Sequence, residues 1–209
     1  MWTWIQQHTT TLSFFAGLGT LGVWLMFAQL FWLGFKRQRQ PRIVISQGWG
    51  EQWDSVCLMA NMSYEPIFVQ HIMLTLNIKD TEYHSAITDF DEVQPHDSEN
   101  RPEEVTRQGP LLPGGLMKLG TFRELIQKGA EYSGLTDSDE TSIATLGPSG
   151  CKITVIANYG PSGKVIGAQR QFTIEGEQYQ LLRPLSLATQ RMENRAARKR
   201  MRAWLESTS

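Results

Sequence analysis

Cys151–Ile174 reads CKITVIANYGPSGKVIGAQRQFTI, and this stretch decides the fold class. Its first part alternates cleanly: Cys151, Ile153, Val155 and Ala157 fall on one side, and Lys152, Thr154, Ile156 and Asn158 on the other. A period of two is the mark of a strand with two unlike faces. Tyr159-Gly160-Pro161-Ser162-Gly163 then supplies the glycines and proline of a hairpin turn. Lys164–Ile174 pairs back, with Ile166, Ala168, Arg170, Phe172 and Ile174 as the core-facing set and Arg170 as its exception.

Further strands lie to either side. Ile43-Val44-Ile45 is β-branched and ends in Gln47-Gly48-Trp49-Gly50, and Ser55–Met62 is a second apolar run. Pro66–Ile78 is a third, with Phe68, Ile72, Leu74, Leu76 and Ile78 on one face and Gln70 as the exception. Tyr83–Phe90 and Tyr179–Arg183 complete the set. VCLMANMSYEPIFVQHI and CKITVIANYGPSGKVIG share an order of strand, Asn, aromatic-containing turn, Pro and strand. Two similarly placed hairpins or convergent turn chemistry would each produce it. Seven or so short strands with turn signals predict a mainly β domain over 43–184, an antiparallel sandwich of immunoglobulin-like type. The Cys…Trp…Cys spacing of antibody domains is missing.

Two helices are predicted within this unit. Thr121–Glu131 opens with Thr121 and has Glu124 three residues on, a capping-box arrangement, with Phe122, Leu125 and Ile126 as its apolar face. A basic helix is expected over Leu185–Glu206, capped by Ser186 or Thr189, within a C-terminal region 185–209.

Upstream, Leu12–Phe35 is a run of mostly apolar residues, and Met1–Phe35 contains no Lys, Arg, Asp or Glu. About 20 helical residues cross a hydrocarbon core, so 12–35 is expected to be a transmembrane helix after a short segment 1–11. Trp2 and Trp4 precede it, and Trp32 lies near its end. The linker 36–42 follows with Lys36, Arg37, Arg39 and Arg42. A cleaved signal peptide would carry its basic residues before the apolar run. A buried soluble helix would be apolar on one stripe only. The positive-inside rule puts the N-terminus outside and the C-terminal domain in the cytoplasm, on a single-pass anchor. Ser13 and Gly17, with Ala16 and Thr20, form small-xxx-small spacings suited to helix association.

The 209 residues are 41% hydrophobic with a net charge of -1, which excludes a disordered chain and argues against a dedicated nucleic-acid binder. Charge is nevertheless uneven. Asp80–Glu104 is strongly acidic and reads as a loop, whereas Arg191–Arg202 is strongly basic. Two cysteines, Cys57 and Cys151, fit buried thiols in a reducing compartment. His8, His71, His84 and His96 lack metal-ligand spacing, and no phosphate-loop, dinucleotide or hydrolase motif occurs. Asn61-Met62-Ser63 fits the glycosylation pattern by chance, since a cytoplasmic site never meets the transferase.

No catalytic, cofactor or metal residue is therefore expected. The expectation is a non-enzymatic membrane-anchored protein whose cytoplasmic sandwich binds proteins, as a scaffold or accessory subunit. The alternative is a ligand-sensing membrane effector that oligomerises through its helix. Arg195, Arg198, Lys199, Arg200 and Arg202 are the candidate interaction residues, toward a protein partner or anionic lipid headgroups. Ser13 and Gly17 are the candidates for helix association in the bilayer and for a homo-oligomer.

Overall fold

A computed structural model describes residues 9–38, 40–79, 81–88, 106–135, 147–160, 163–175 and 181–192. The chain divides into two compact units, Met1–Gln40 and Pro41–Ser209. The first unit holds helix α1, Thr9–Gln38, slightly longer at both ends than the apolar run itself. Its stretch Ser13–Phe35 is long and apolar enough to cross a bilayer, and none of it is buried against other parts of the protein. At 1.5 Å per residue that stretch measures about 35 Å. Its hydroxyls are satisfied inside the helix: Ser13 Oγ donates to the Thr10 carbonyl (3.0 Å) and Thr20 Oγ1 to the Ala16 carbonyl (2.9 Å).

The second unit is two antiparallel sheets around one core. The smaller has the order β1-β2-β6, formed by Ile43–Gln47, Val56–Asn61 and Leu116–Thr121. The larger is built on three twelve-residue strands, β3 (Ile67–Ile78), β7 (Pro148–Tyr159) and β8 (Lys164–Glu175). β7 lies between the other two. β3 carries β4 (Thr81–Ala86) and β5 (Gly109–Leu111) at different points of its far edge. β8 carries β9 (Leu181–Pro184) and β10 (Gln190–Arg191) on its own far edge. The hairpin expected from Cys151–Ile174 is therefore the centre of the sheet, with Val155 opposite Ala168 and Tyr159 opposite Lys164.

A β-bulge corrects the face assigned to β3. The pairing to β7 slips between Val69 and His71, so the extra residue reverses the alternation. Ile67 and Val69 point into the core before the bulge, and Ile72, Leu74, Leu76 and Ile78 after it. Phe68, expected inside, is instead 48% exposed. The face assignment for β8 stands: Ile166, Ala168, Phe172 and Ile174 are buried, and Arg170 is the polar residue among them.

Helix α2, Phe122–Tyr132, begins as the sequence indicated. Thr121 accepts from the Glu124 amide (3.2 Å), and the Glu124 carboxylate accepts from the Thr121 amide (2.9 Å). Its buried face of Phe122, Leu125, Ile126, Gly129 and Ala130 packs on the larger sheet, with Phe122 edge-on to Phe172 at 4.7 Å between ring centres. A Cβ on Gly129 would stand 2.5 Å from Leu74 Cδ2, so glycine allows this close approach of helix to sheet.

The expected helix from Leu185 does not begin there. Residues 185–188 bend, and Gln190–Arg191 form β10 against Gln169 and Ala168. Thr189, read as a helix cap, accepts from the Ile45 amide (2.8 Å) and donates to the Ile45 carbonyl (3.2 Å). Those bonds satisfy the outer edge of β1 and cannot coexist with a helix turn at Thr189. The rest of that predicted helix, 193–206, lies outside the described residues, as does nearly all of the acidic loop 80–104 beyond residue 88.

Removing the Thr121 cap should lower stability by about 1 kcal/mol, the usual cost of losing an N-cap hydroxyl. Urea denaturation of Thr121→Ala against Thr121→Ser measures this, and the serine variant should retain most of the stability.

Candidate functional site

The end of the sandwich at which the chain enters is organised by Asn61. Its side chain is fully buried. Nδ2 donates to the carbonyls of Glu65 (3.0 Å) and Leu111 (2.9 Å), and Oδ1 accepts from the Ser63 amide (3.0 Å). Its own backbone amide donates to Gly115 (3.0 Å), and its carbonyl accepts from Gly114 (2.7 Å). One residue thus fixes the 62–66 turn and the 111–115 turn against each other. The entering chain joins them: Met62 N donates to Arg42 O (2.8 Å) and Arg42 N to Ser63 Oγ (2.8 Å). Gly160 N, at the β7–β8 turn, donates to Pro66 O (3.0 Å). Gly160 adopts φ +55°, and a Cβ there would run into the Glu65 carboxylate.

On this frame stand large apolar side chains in solvent. Met62, Tyr64, Leu112 and Leu116 are each more than half exposed, and Phe68 nearly so. Phe68 pairs with Pro110 on β5. A hollow of about 400 Å³ opens between Pro110–Leu112 and Gly115–Lys118. Single exposed apolar residues are ordinary, but a group of them at one end of a domain is a candidate interaction surface. Two basic residues flank it: Arg42, and Lys164, opposite Tyr159 at the start of β8.

A second feature runs from the same entry point along the side of the domain. A cleft of about 180 Å³ lies between Pro41–Val44, the middle of β8 and the 187–191 segment. Arg42, Arg170 and Arg191 line it, and among the described residues no carboxylate does. Arg170 has a structural duty there. Its guanidinium donates to the Ile45 and Ser186 carbonyls and lies 5.6 Å from the centre of the Phe172 ring.

Of the expected interaction residues, Arg195, Arg198, Lys199, Arg200 and Arg202 lie outside the described residues. Only Arg191, the first of that basic run, is placed, on β10 at the cleft. Ser13 and Gly17 lie one helical turn apart on α1, both exposed, and the space beside Gly17 is open.

Cys57 and Cys151 are free thiols, fully buried on facing sheets. Burial pushes the Cys151 thiol up to about 12 and raises Cys57 as well, so neither is a thiolate near neutral pH. His84 Nδ1 is 3.0 Å from Thr75 Oγ1, its cross-strand neighbour. Among the described residues no group of three or more His, Cys, Asp or Glu side chains could hold a metal ion.

Sequence reasoning took Asn61 only as a chance glycosylation match and passed over the apolar end. The available signal was large apolar residues inside turns, in NMSYEP and LLPGGL, where turn chemistry favours small and polar ones. No protein-family model, curated protein or solved structure matches the chain.

Asn61→Ala should cost about 1–3 kcal/mol, because it strands the buried Glu65 and Leu111 carbonyls without donors. Chemical denaturation measures the loss, and Asn61→Asp should not rescue it, since a carboxylate cannot donate to those carbonyls.

Proposed function

We propose that the protein is a single-pass membrane-anchored binding protein, a scaffold or accessory subunit whose cytoplasmic sandwich engages protein partners. The observation that carries this reading is the union, in one chain, of a span-length helix with no buried surface and a sandwich that displays exposed apolar side chains. The four basic residues after the apolar run support an outside N-terminus and a cytoplasmic domain. The thiol state of Cys57 and Cys151 is consistent with that compartment.

The strand order supports an immunoglobulin-like reading of the sandwich. β1-β2-β6 against β8-β7-β3-β4 follows the arrangement of strands A, B and E over G, F, C and C′. Cys57 on β2 and Cys151 on β7 then occupy the two strands that the inter-sheet disulfide joins in antibody domains, without the Trp on β3. In this lineage of architecture the domain serves as a rigid carrier for loops at its ends.

A ligand-sensing effector that oligomerises through α1, in part by Ser13 and Gly17, is the second reading. The cleft favours it, because Arg42, Arg170 and Arg191 concentrate positive charge along one groove, which suits an anionic ligand.

Blue-native electrophoresis with mass-spectrometric identification, on protein gently extracted from its own membrane, separates the two. A heteromeric species of fixed stoichiometry is expected. A homo-oligomer alone would favour the effector reading, and a bare monomer would contradict both.

A further inference from the structure

We propose that the Asn61-centred end of the sandwich rests on the surface of the bilayer that holds α1, with Met62, Tyr64, Leu112 and Leu116 entering the interfacial layer and Arg42 and Lys164 meeting anionic headgroups. This rests on the reading of α1 as a membrane span. The covalent chain bounds the distance between the end of α1 and this part of the domain. α1 ends at Gln38 and the second unit begins at Pro41. Three residues of fully extended chain reach about 11 Å at most.

Arg42 is hydrogen-bonded through its backbone to Met62 and Ser63, so the tether enters the domain beside the 62–66 turn. Asn61 fixes the 111–115 turn to that same turn. With α1 as the span, that tether is short enough for these turns to reach the headgroups. At that level apolar side chains and a tyrosine gain by leaving water, and Lys and Arg gain from anionic lipid.

Charge agrees with this partner. The sequence between the apolar run and Pro41 adds Lys36, Arg37 and Arg39. Glu65, the carboxylate of the 62–66 turn, is turned toward Gly160 on the neighbouring β7–β8 turn. The opposite end of β3, at the Lys79 hairpin, lies a twelve-residue strand away, about 40 Å along the chain direction.

The test uses the full chain with single nitroxide labels at Tyr64→Cys, Leu112→Cys, Lys79→Cys and Trp24→Cys. Cys57 and Cys151 are buried and stay unlabelled in the folded protein. The protein is reconstituted in vesicles of phosphatidylcholine with one-quarter phosphatidylglycerol, and collision with oxygen and with a water-soluble nickel complex is read at each site. The expected result is a deeply immersed label at 24, interfacial labels at 64 and 112 shielded severalfold from nickel, and a fully aqueous label at 79. Arg42→Gln with Lys164→Gln, or vesicles of phosphatidylcholine alone, should weaken the shielding at 64 and 112 and leave 24 unchanged.

An immersed label at 24 with labels at 64 and 112 as aqueous as 79 overturns the proposal and leaves the anchor standing. An aqueous label at 24 overturns the anchor itself. Shielding at 64 and 112 accompanied by dipolar broadening, where unlabelled chain removes the broadening and leaves the shielding, assigns the surface to a second copy and overturns the lipid assignment. Shielding that is lost on deletion of residues 193–209 assigns it to the chain's own C-terminal residues, with the same consequence.

Discussion

β7 is hydrogen-bonded along both edges for nearly its whole length, from Ile67↔Tyr159 to Ile78↔Pro148 on one side and from Gly150↔Thr173 to Tyr159↔Lys164 on the other. Both its faces are covered as well. Cys151, Ile153, Val155 and Ala157 are buried toward the smaller sheet, and Thr154 and Ile156 are buried on the outer face. A strand with no free edge and little exposed surface can shift register only by breaking two ladders at once. The rest of the domain inherits its position from that pairing. The bulge at Gln70 exists because β3 must keep both Ile67–Val69 and Ile72–Ile78 on the core side while staying paired to β7. The smaller sheet and α2 share the core face that results.

The outer edge of β1 shows how the two sheets are closed on one side. Among the described residues no strand pairs there. Arg170 and Thr189 supply the missing hydrogen bonds instead, each reaching Ile45 from the other sheet or its margin. An inward arginine is costly without partners. Here it finds two carbonyls and an aromatic face, and it blunts an edge that would otherwise invite another strand. The same bonds hold Thr189 against β1, next to the short strand Gln190–Arg191, so a local helical tendency gives way to tertiary contacts.

What was legible in the sequence follows from these constraints. The β7–β8 hairpin was readable because period-two alternation, a glycine-proline turn and long strands all agree within one stretch. The α2 cap was readable because Thr121 and Glu124 act locally. Phe68 was misassigned because one bulged residue inverts a face without leaving any mark in composition. β5 was not anticipated, having only Gly109, Pro110 and Leu111 to announce it, and β6 lacks a clean alternation in LMKLGT. The exposed apolar end was invisible for a different reason. The turns that carry Met62 and Leu112 are brought together by the β2–β6 and β3–β5 pairings and by Asn61, which links positions fifty residues apart. The basic residues singled out beyond Arg191 lie outside the described residues, so the placed surface differs from the one the charge pattern suggested.

If β7 is the strand on which everything else hangs, its amides and those facing it open only when the whole domain unfolds. Native-state hydrogen exchange on the full chain measures this residue by residue. The slowest amides should be those of Ile153–Ala157, with Ile72–Leu76 and Ala168–Phe172 close behind, all exchanging at the free energy of global unfolding. The β1 and α2 amides should open at lower free energy. Slow exchange confined to β1, β2 and α2, with β7 opening first, would contradict the account.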